Sequence, residues 1–255
     1  MARRPIAAAF RLALAAIAAA PLPLLAQTEP APPSTTAAQP QPPAGAPAGQ
    51  AEAAPVYRAP SRGTPGGRIG GAARGTIQAA APLPTIELAA PADHTGLTAN
   101  PSPTLYYYVS HPVPWPMQLT ISAPLRAKPV LEASIPSALA PGIYAASLAE
   151  RGVRLEPGVV YTWSVSIVID PHAWSRNIVA SATISHVPPD PEVAAIAASS
   201  DRLRQPARFA GAGLWYDAVA SAAAVEAIDR HAALDRLLDQ VGLTEIAQSD
   251  RIRAH

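Results

Sequence analysis

Cysteine is missing from all 255 residues, which excludes a disulfide scaffold and any lipid attached to a mature N-terminal cysteine. Its absence suits an oxidising compartment, where no stray thiol can mispair. Charge is scarce too: Asp, Glu, Lys and Arg make up 15% of the chain, and Lys128 is its sole lysine. No Gly-X-Y period organises the 31 prolines and 15 glycines, so collagen is excluded. A Gly-x-Ser-x-Gly elbow, a His-Glu-x-x-His pair, a phosphate loop ending in Gly-Lys-Ser/Thr and a dinucleotide fingerprint are all lacking. No repeat of solenoid period occurs either.

What is present begins with an export pattern. Arg3, Arg4 and Arg11 form a positive leader without acids, Leu12 to Ala20 is apolar, and Pro21 and Pro23 break the run ahead of a cleavage point after Ala26. Residues 1–26 are therefore expected to be a signal peptide. The apolar run is shorter than the ~20 residues of a spanning helix, so no stable membrane span is expected after cleavage and the mature chain is expected in the periplasm. Losing three arginines takes the formal charge from +1 to −2. A nearly neutral chain has no general attraction for nucleic acid or anionic membrane.

Residues 27–61 are rich in Pro, Ala and Gln without apolar periodicity, and read as a disordered linker that cannot bury enough surface to offset its ordering entropy. Residues 62–83 read as an arm in which Arg62, Arg68 and Arg74 alternate with glycines. Such an arm could clasp a polyanion, but without interleaved aromatics it is expected to pack along the edge of the domain.

From residue 84 to 190 the period is two. Val159, Tyr161, Trp163, Val165, Ile167 and Ile169 share one strand face, with Thr162, Ser164 and Ser166 on the other. Further strands are expected at 105–109, 117–121, 129–135, 143–148 and 177–187, separated by Pro- and Gly-rich turns. The expected fold is mainly β with C-terminal helices (α+β): an antiparallel immunoglobulin- or fibronectin-like sandwich of about seven strands. Over residues 191–248 the period turns helical. One helix should open at Val193 and stop before Pro206. Leu214, Trp215, Ala218, Val219, Ala222 and Val225 mark a second face, and Leu234, Leu237, Leu238 and Val241 a third, capped by Asp229 and ended by Gly242. Helices this short are expected to dock on the sandwich.

Several landmarks occur in a set order: Arg62 to Pro65, Gly70 to Gly75, Pro103 to Tyr108, Leu155 to Trp163, Ile169-Asp170-Pro171, Gly213 to Ala218 and Leu237 to Leu243. In this order the chain resembles an exported bacterial family, domain of unknown function 928, across residues 62 to 247. Two departures are Ile169, where members often carry cysteine, and a shorter connection between the last helices. The resemblance implies no activity.

The residues offering chemistry are few. Asp170, His172, Trp174 and Arg176 share the loop after the best strand and are candidate ligand contacts, as are Tyr106 and Tyr108 if they face away from the core while Leu105, Tyr107 and Val109 face inward. Covering of that outer face by the C-terminal helices is the favoured alternative. Trp215, Tyr216 and Asp217 are expected to be a structural box. His94, His111, His172 and His186 are scattered, with only Asp93-His94 setting an acid beside a base, so no metal and no cofactor is expected. The expected role is a non-catalytic, exported envelope module that binds a protein or an envelope polymer. The alternatives are a carbohydrate-binding sandwich and a hydrolase using Asp170 and His172. The oligomeric state is open.

Overall fold

Strands with one apolar face must pair to satisfy their backbones and then pack to keep that face dry. The computed structural model of the chain describes residues 54–60, 66–70, 82–225, 227–244 and 246–247. In order these form β1 (Arg68–Ile69), β2 (Ile86–Leu88), β3 (Gly96–Thr98), β4 (Thr104–Val109), β5 (Met117–Ser122), β6 (Leu131–Ile135), β7 (Gly142–Ser147), β8 (Val160–Ile167), a 3-10 turn (Trp174–Arg176) and β9 (Ile178–His186). Four helices follow: α1 (Pro191–Ala198), α2 (Gln205–Gly211), α3 (Trp215–Ala223) and α4 (Ala227–Gln240). The signal region and most of the linker and arm lie outside the described residues.

One sheet runs β1-β9-β8-β5-β6, and β3 shares with β1 the edge of β9 that β8 leaves open. The second runs β2-β4-β7. Every strand pairing is antiparallel except that of β3 with β9. Leu119, Ile121, Trp163, Val165 and Ile184 of the first sheet and Ile86, Leu88, Leu105 and Val109 of the second belong to one buried cluster. Each such side chain contributes roughly 1.5–3 kcal/mol of burial. The helices join the same cluster: Leu214, Trp215, Ala218, Val219, Ala222, Leu234, Leu237, Leu238 and Val241 are all buried. The architecture is therefore α+β, two mainly antiparallel sheets with C-terminal helices.

The structure departs from the sequence expectations in four places. Nine strands are present among the described residues rather than about seven, because β1, β2 and β3 have two or three residues each, too few to display an alternation. The linker expected through residue 61 ends sooner. Residues 54–60 are docked, with Arg58 N–H donating to the Ala210 carbonyl at 3.0 Å, Tyr57 N–H to Gln240 Oε1 at 2.7 Å, and Gln240 Nε2 to the Pro55 carbonyl at 2.9 Å. Composition hid this, since a single tyrosine and a few backbone bonds suffice to hold the strap.

The helix expected to open at Val193 and stop before Pro206 does stop, at Ala198, and a separate helix that the sequence reading did not place, α2, follows from Gln205. Ser199 is extended, and the buried Gln205 amide donates to the Ile196 and Ser199 carbonyls, each at 3.0 Å, which closes the end of α1. Pro206 then sits in the first turn of α2, where its missing N–H costs nothing. Finally, α4 begins at Ala227, so Asp229 lies inside it instead of capping it. Gly242 does end α4, with φ of 74° and bonds from Gly242 N–H to the Asp239 carbonyl and from Leu243 N–H to that of Leu238.

One close approach fixes α3 against the sheet. A Cβ on Gly96 would lie 2.6 Å from Cε2 of Tyr216, so β3 must carry glycine where that ring crosses it.

Candidate functional site

Trp215, Tyr216 and Asp217 open α3, and each is tied to a different strand or loop. The Trp215 indole donates to the Ala89 carbonyl just after β2 at 2.8 Å and is fully buried. The Tyr216 hydroxyl accepts from Trp163 Nε1 on β8 at 2.8 Å and donates to the Thr183 carbonyl on β9 at 3.1 Å. Asp217 Oδ2 accepts from the Ala99 N–H after β3 at 2.8 Å. Burial pushes the Asp217 carboxyl up from its ordinary value, against the pull of the hydrogen bonds from Ala99 and Thr98. Three consecutive residues thus attach one helix to both sheets, and their polar atoms are occupied by that task.

The register places three loops at one end of the first sheet. Met117 opens β5 opposite both Ile135, which ends β6, and Ile167, which ends β8, while Ile167 faces Ile178 at the start of β9. The β4–β5, β6–β7 and β8–β9 loops therefore emerge together, stitched by Val113 N–H to the Ala138 carbonyl at 2.7 Å and Ser137 Oγ to the Trp115 carbonyl at 2.8 Å. The β8–β9 loop holds Asp170, His172, Trp174 and Arg176. Asp170 Oδ1 accepts the His172 backbone N–H at 2.9 Å, Asp170 Oδ2 pairs with Arg176 Nη1 at 3.3 Å, and Asn177 Oδ1 takes the N–H groups of Ile169 and Asp170. The His172 backbone bond, ahead of the Arg176 charge, holds the Asp170 carboxyl below its ordinary value. The loop is stiffened by its own bonds, yet Trp174 at its tip is 68% exposed.

Tyr106 and Tyr108 lie on the face of β4 opposite Leu105, Tyr107 and Val109; both are half-buried, and α3 packs beside β4. Burial raises the Tyr106 hydroxyl above its ordinary value. The histidines are dispersed: His111 follows β4 and His172 follows β8 at the three-loop end, His94 precedes β3, and His186 is buried at the far end of β9 with neither ring nitrogen bonded. Among the described residues no three metal-ligating side chains converge.

A second site escaped the sequence reading. A cleft of about 470 Å³ is lined by Tyr57, Ala92, Asp93, His94, Gln240 and Val241. Asp93 Oδ1 lies 2.8 Å from His94 Nδ1, and His94 Nε2 lies 2.8 Å from the Tyr57 hydroxyl. A carboxylate only accepts, so Nδ1 of the neutral ring carries the proton and Nε2 accepts from the phenol. The His94 hydrogen bond lowers the Asp93 carboxyl, while burial, then the Asp93 charge, raises the Tyr57 phenol. Asp93-His94 was visible in the sequence as an acid beside a base. Nothing in the spacing indicated that Tyr57, inside a proline-rich stretch, would complete the chain.

Comparison with known proteins identifies the chain at the level of family. The model of the family described as Domain of Unknown Function (DUF928) matches residues 69–251, and the chain belongs to that family. No curated protein matches the chain. No solved structure matches it either.

Proposed function

We propose that the chain is exported to the periplasm and acts there as a non-catalytic binding module, an immunoglobulin- or fibronectin-like sandwich that holds an envelope protein or polymer with its three-loop end. The observation that carries this reading is Trp174, 68% exposed on a loop whose turns are held by Asp170, Arg176 and Asn177. An exposed indole on a rigid loop loses little conformational freedom on binding and supplies a large contact area, which is how binding anchors work. Loops gathered at one end of two packed sheets are the usual recognition surface of such sandwiches. The non-catalytic reading is supported by Asp170, which receives the backbone N–H of His172 and the Arg176 guanidinium and is thereby engaged in shaping the turn.

A photo-crosslinking residue at the exposed position 175, beside Trp174, used in the intact envelope, should capture one partner. Trp174→Ala should abolish that capture and weaken binding by more than about tenfold while changing stability by less than ~0.5 kcal/mol, as expected for an exposed side chain. Undiminished binding by Trp174→Ala would overturn the assignment of this end. The second reading, a carbohydrate-binding sandwich, is favoured by the combination of an exposed indole with the Asp170–Arg176 pair, and glycan pull-down with the same variant separates it from protein recognition.

A further inference from the structure

We propose that the cleft beside Tyr57 binds an organic cation, an alkylammonium or guanidinium group, through the carboxylate of Asp93. The site is separate from the three-loop end and does not depend on it. Its chemistry follows from which polar groups on its wall are already committed. The Tyr57 hydroxyl donates to His94, and the His94 Nδ1–H donates to Asp93. The Gln240 amide donates to the carbonyls of Pro55 and Arg236, at 2.9 and 2.6 Å. Among the described residues every side-chain donor lining the cleft is therefore occupied, and an anion would find none of them to replace its hydration.

Acceptor capacity remains. The Asp93 side chain is 89% exposed, and an ionised carboxylate offers about four lone-pair positions, of which His94 takes one. Arg68 does not line the cleft: its guanidinium is turned onto the carbonyls of Ala90, Val241 and Gly242, with Glu87 offsetting its charge.

The walls suit the rest of such a ligand. The Tyr57 and His94 rings stack with centroids 5.7 Å apart, and Tyr57 rests edge-on against Trp215 at 4.9 Å, so the aromatic wall is rigid. Ala92 and Val241 offer apolar contact to an alkyl stem. A volume of about 470 Å³ is within the size range of small-molecule sites.

The test is calorimetric titration of the purified protein with n-butylamine, agmatine and, as the anionic counterpart, butyrate. Saturable binding of an amine without butyrate binding, weakened about tenfold or more by Asp93→Asn and unchanged by Trp174→Ala, is the expected result. The chosen variants also keep this outcome apart from failure of the three-loop reading, because only Trp174→Ala reports on that end. Asp93 is exposed, so Asp93→Asn should fold with unchanged melting temperature. Binding of butyrate as tight as that of the amines, amine binding unaffected by Asp93→Asn, or no saturable binding of either amine up to about 10 mM would each overturn the proposal.

Discussion

Trp163 and Tyr216 meet in the core with the indole N–H donating to the phenol oxygen at 2.8 Å, their rings inclined at 68°. The indole comes from β8 and the phenol from α3, so one bond links the centre of the larger sheet to the helix laid over its edge strand β3. The phenol in turn donates to Thr183 on β9. Both side chains are essentially without solvent exposure, so neither polar atom has water to fall back on.

Tyr216→Phe should therefore destabilise the protein, because it orphans the buried Trp163 N–H and removes the bond to the Thr183 carbonyl. Leaving a buried group unsatisfied costs about 1–3 kcal/mol. In a domain of this size each kcal/mol lowers the melting temperature by roughly 2–4 °C. Thermal unfolding of the two proteins side by side checks this, and an unchanged melting temperature would refute the role given to the hydroxyl.

Asp217 should make stability depend on pH in a particular direction. Its carboxyl is raised in the folded protein by burial above the ordinary 3.8, so the folded state holds the proton more tightly than the unfolded chain. That contribution is fully present below pH 3.8 and is lost as pH rises through the folded value. Asp217→Asn keeps a side-chain oxygen for the Ala99 N–H and removes the titration. Urea unfolding across this range should show a shallower decline of stability with rising pH in the variant. Identical slopes would exclude Asp217 as the source.

The strap should define where proteolysis stops. Elastase cleaves after small residues, and residues 27–53 are rich in alanine and low in apolar content, so early digestion should leave a fragment beginning near Ala54. Tyr57→Ala removes the bond to His94 and the contacts with both the His94 and Trp215 rings. Mass spectrometry should then find the early boundary moved beyond residue 60. A boundary unmoved by the substitution would mean that the backbone bonds of Arg58 and Tyr57 hold the strap unaided.

Several parts of the fold were legible because they are local. The alternation Tyr161, Trp163, Val165, Ile167 identifies the buried face of β8, since side chains alternate across any strand whatever it packs against. The same holds for Leu105, Tyr107 and Val109, all buried. In α3, one large indole among alanines marks the side that approaches the sheets. Short elements were not legible: β3 shows only Gly-Leu-Thr, which has no period, and its parallel pairing with β9 cannot be read from either strand alone.

What the sequence by itself determined is thus the face each long element buries, the change from strands to helices after residue 190, and membership of the family, all carried by neighbouring residues or by their order. Only the tertiary structure decided the sites. Tyr57 reaches His94 across 37 positions, Arg68 reaches the end of α4 across 173, and the Trp215 indole finds Ala89 across 126. Such meetings depend on which strand edges pair and where a helix end comes to rest. Those outcomes minimise the exposed apolar area of the whole chain, and the spacing of two residues along it carries no record of them.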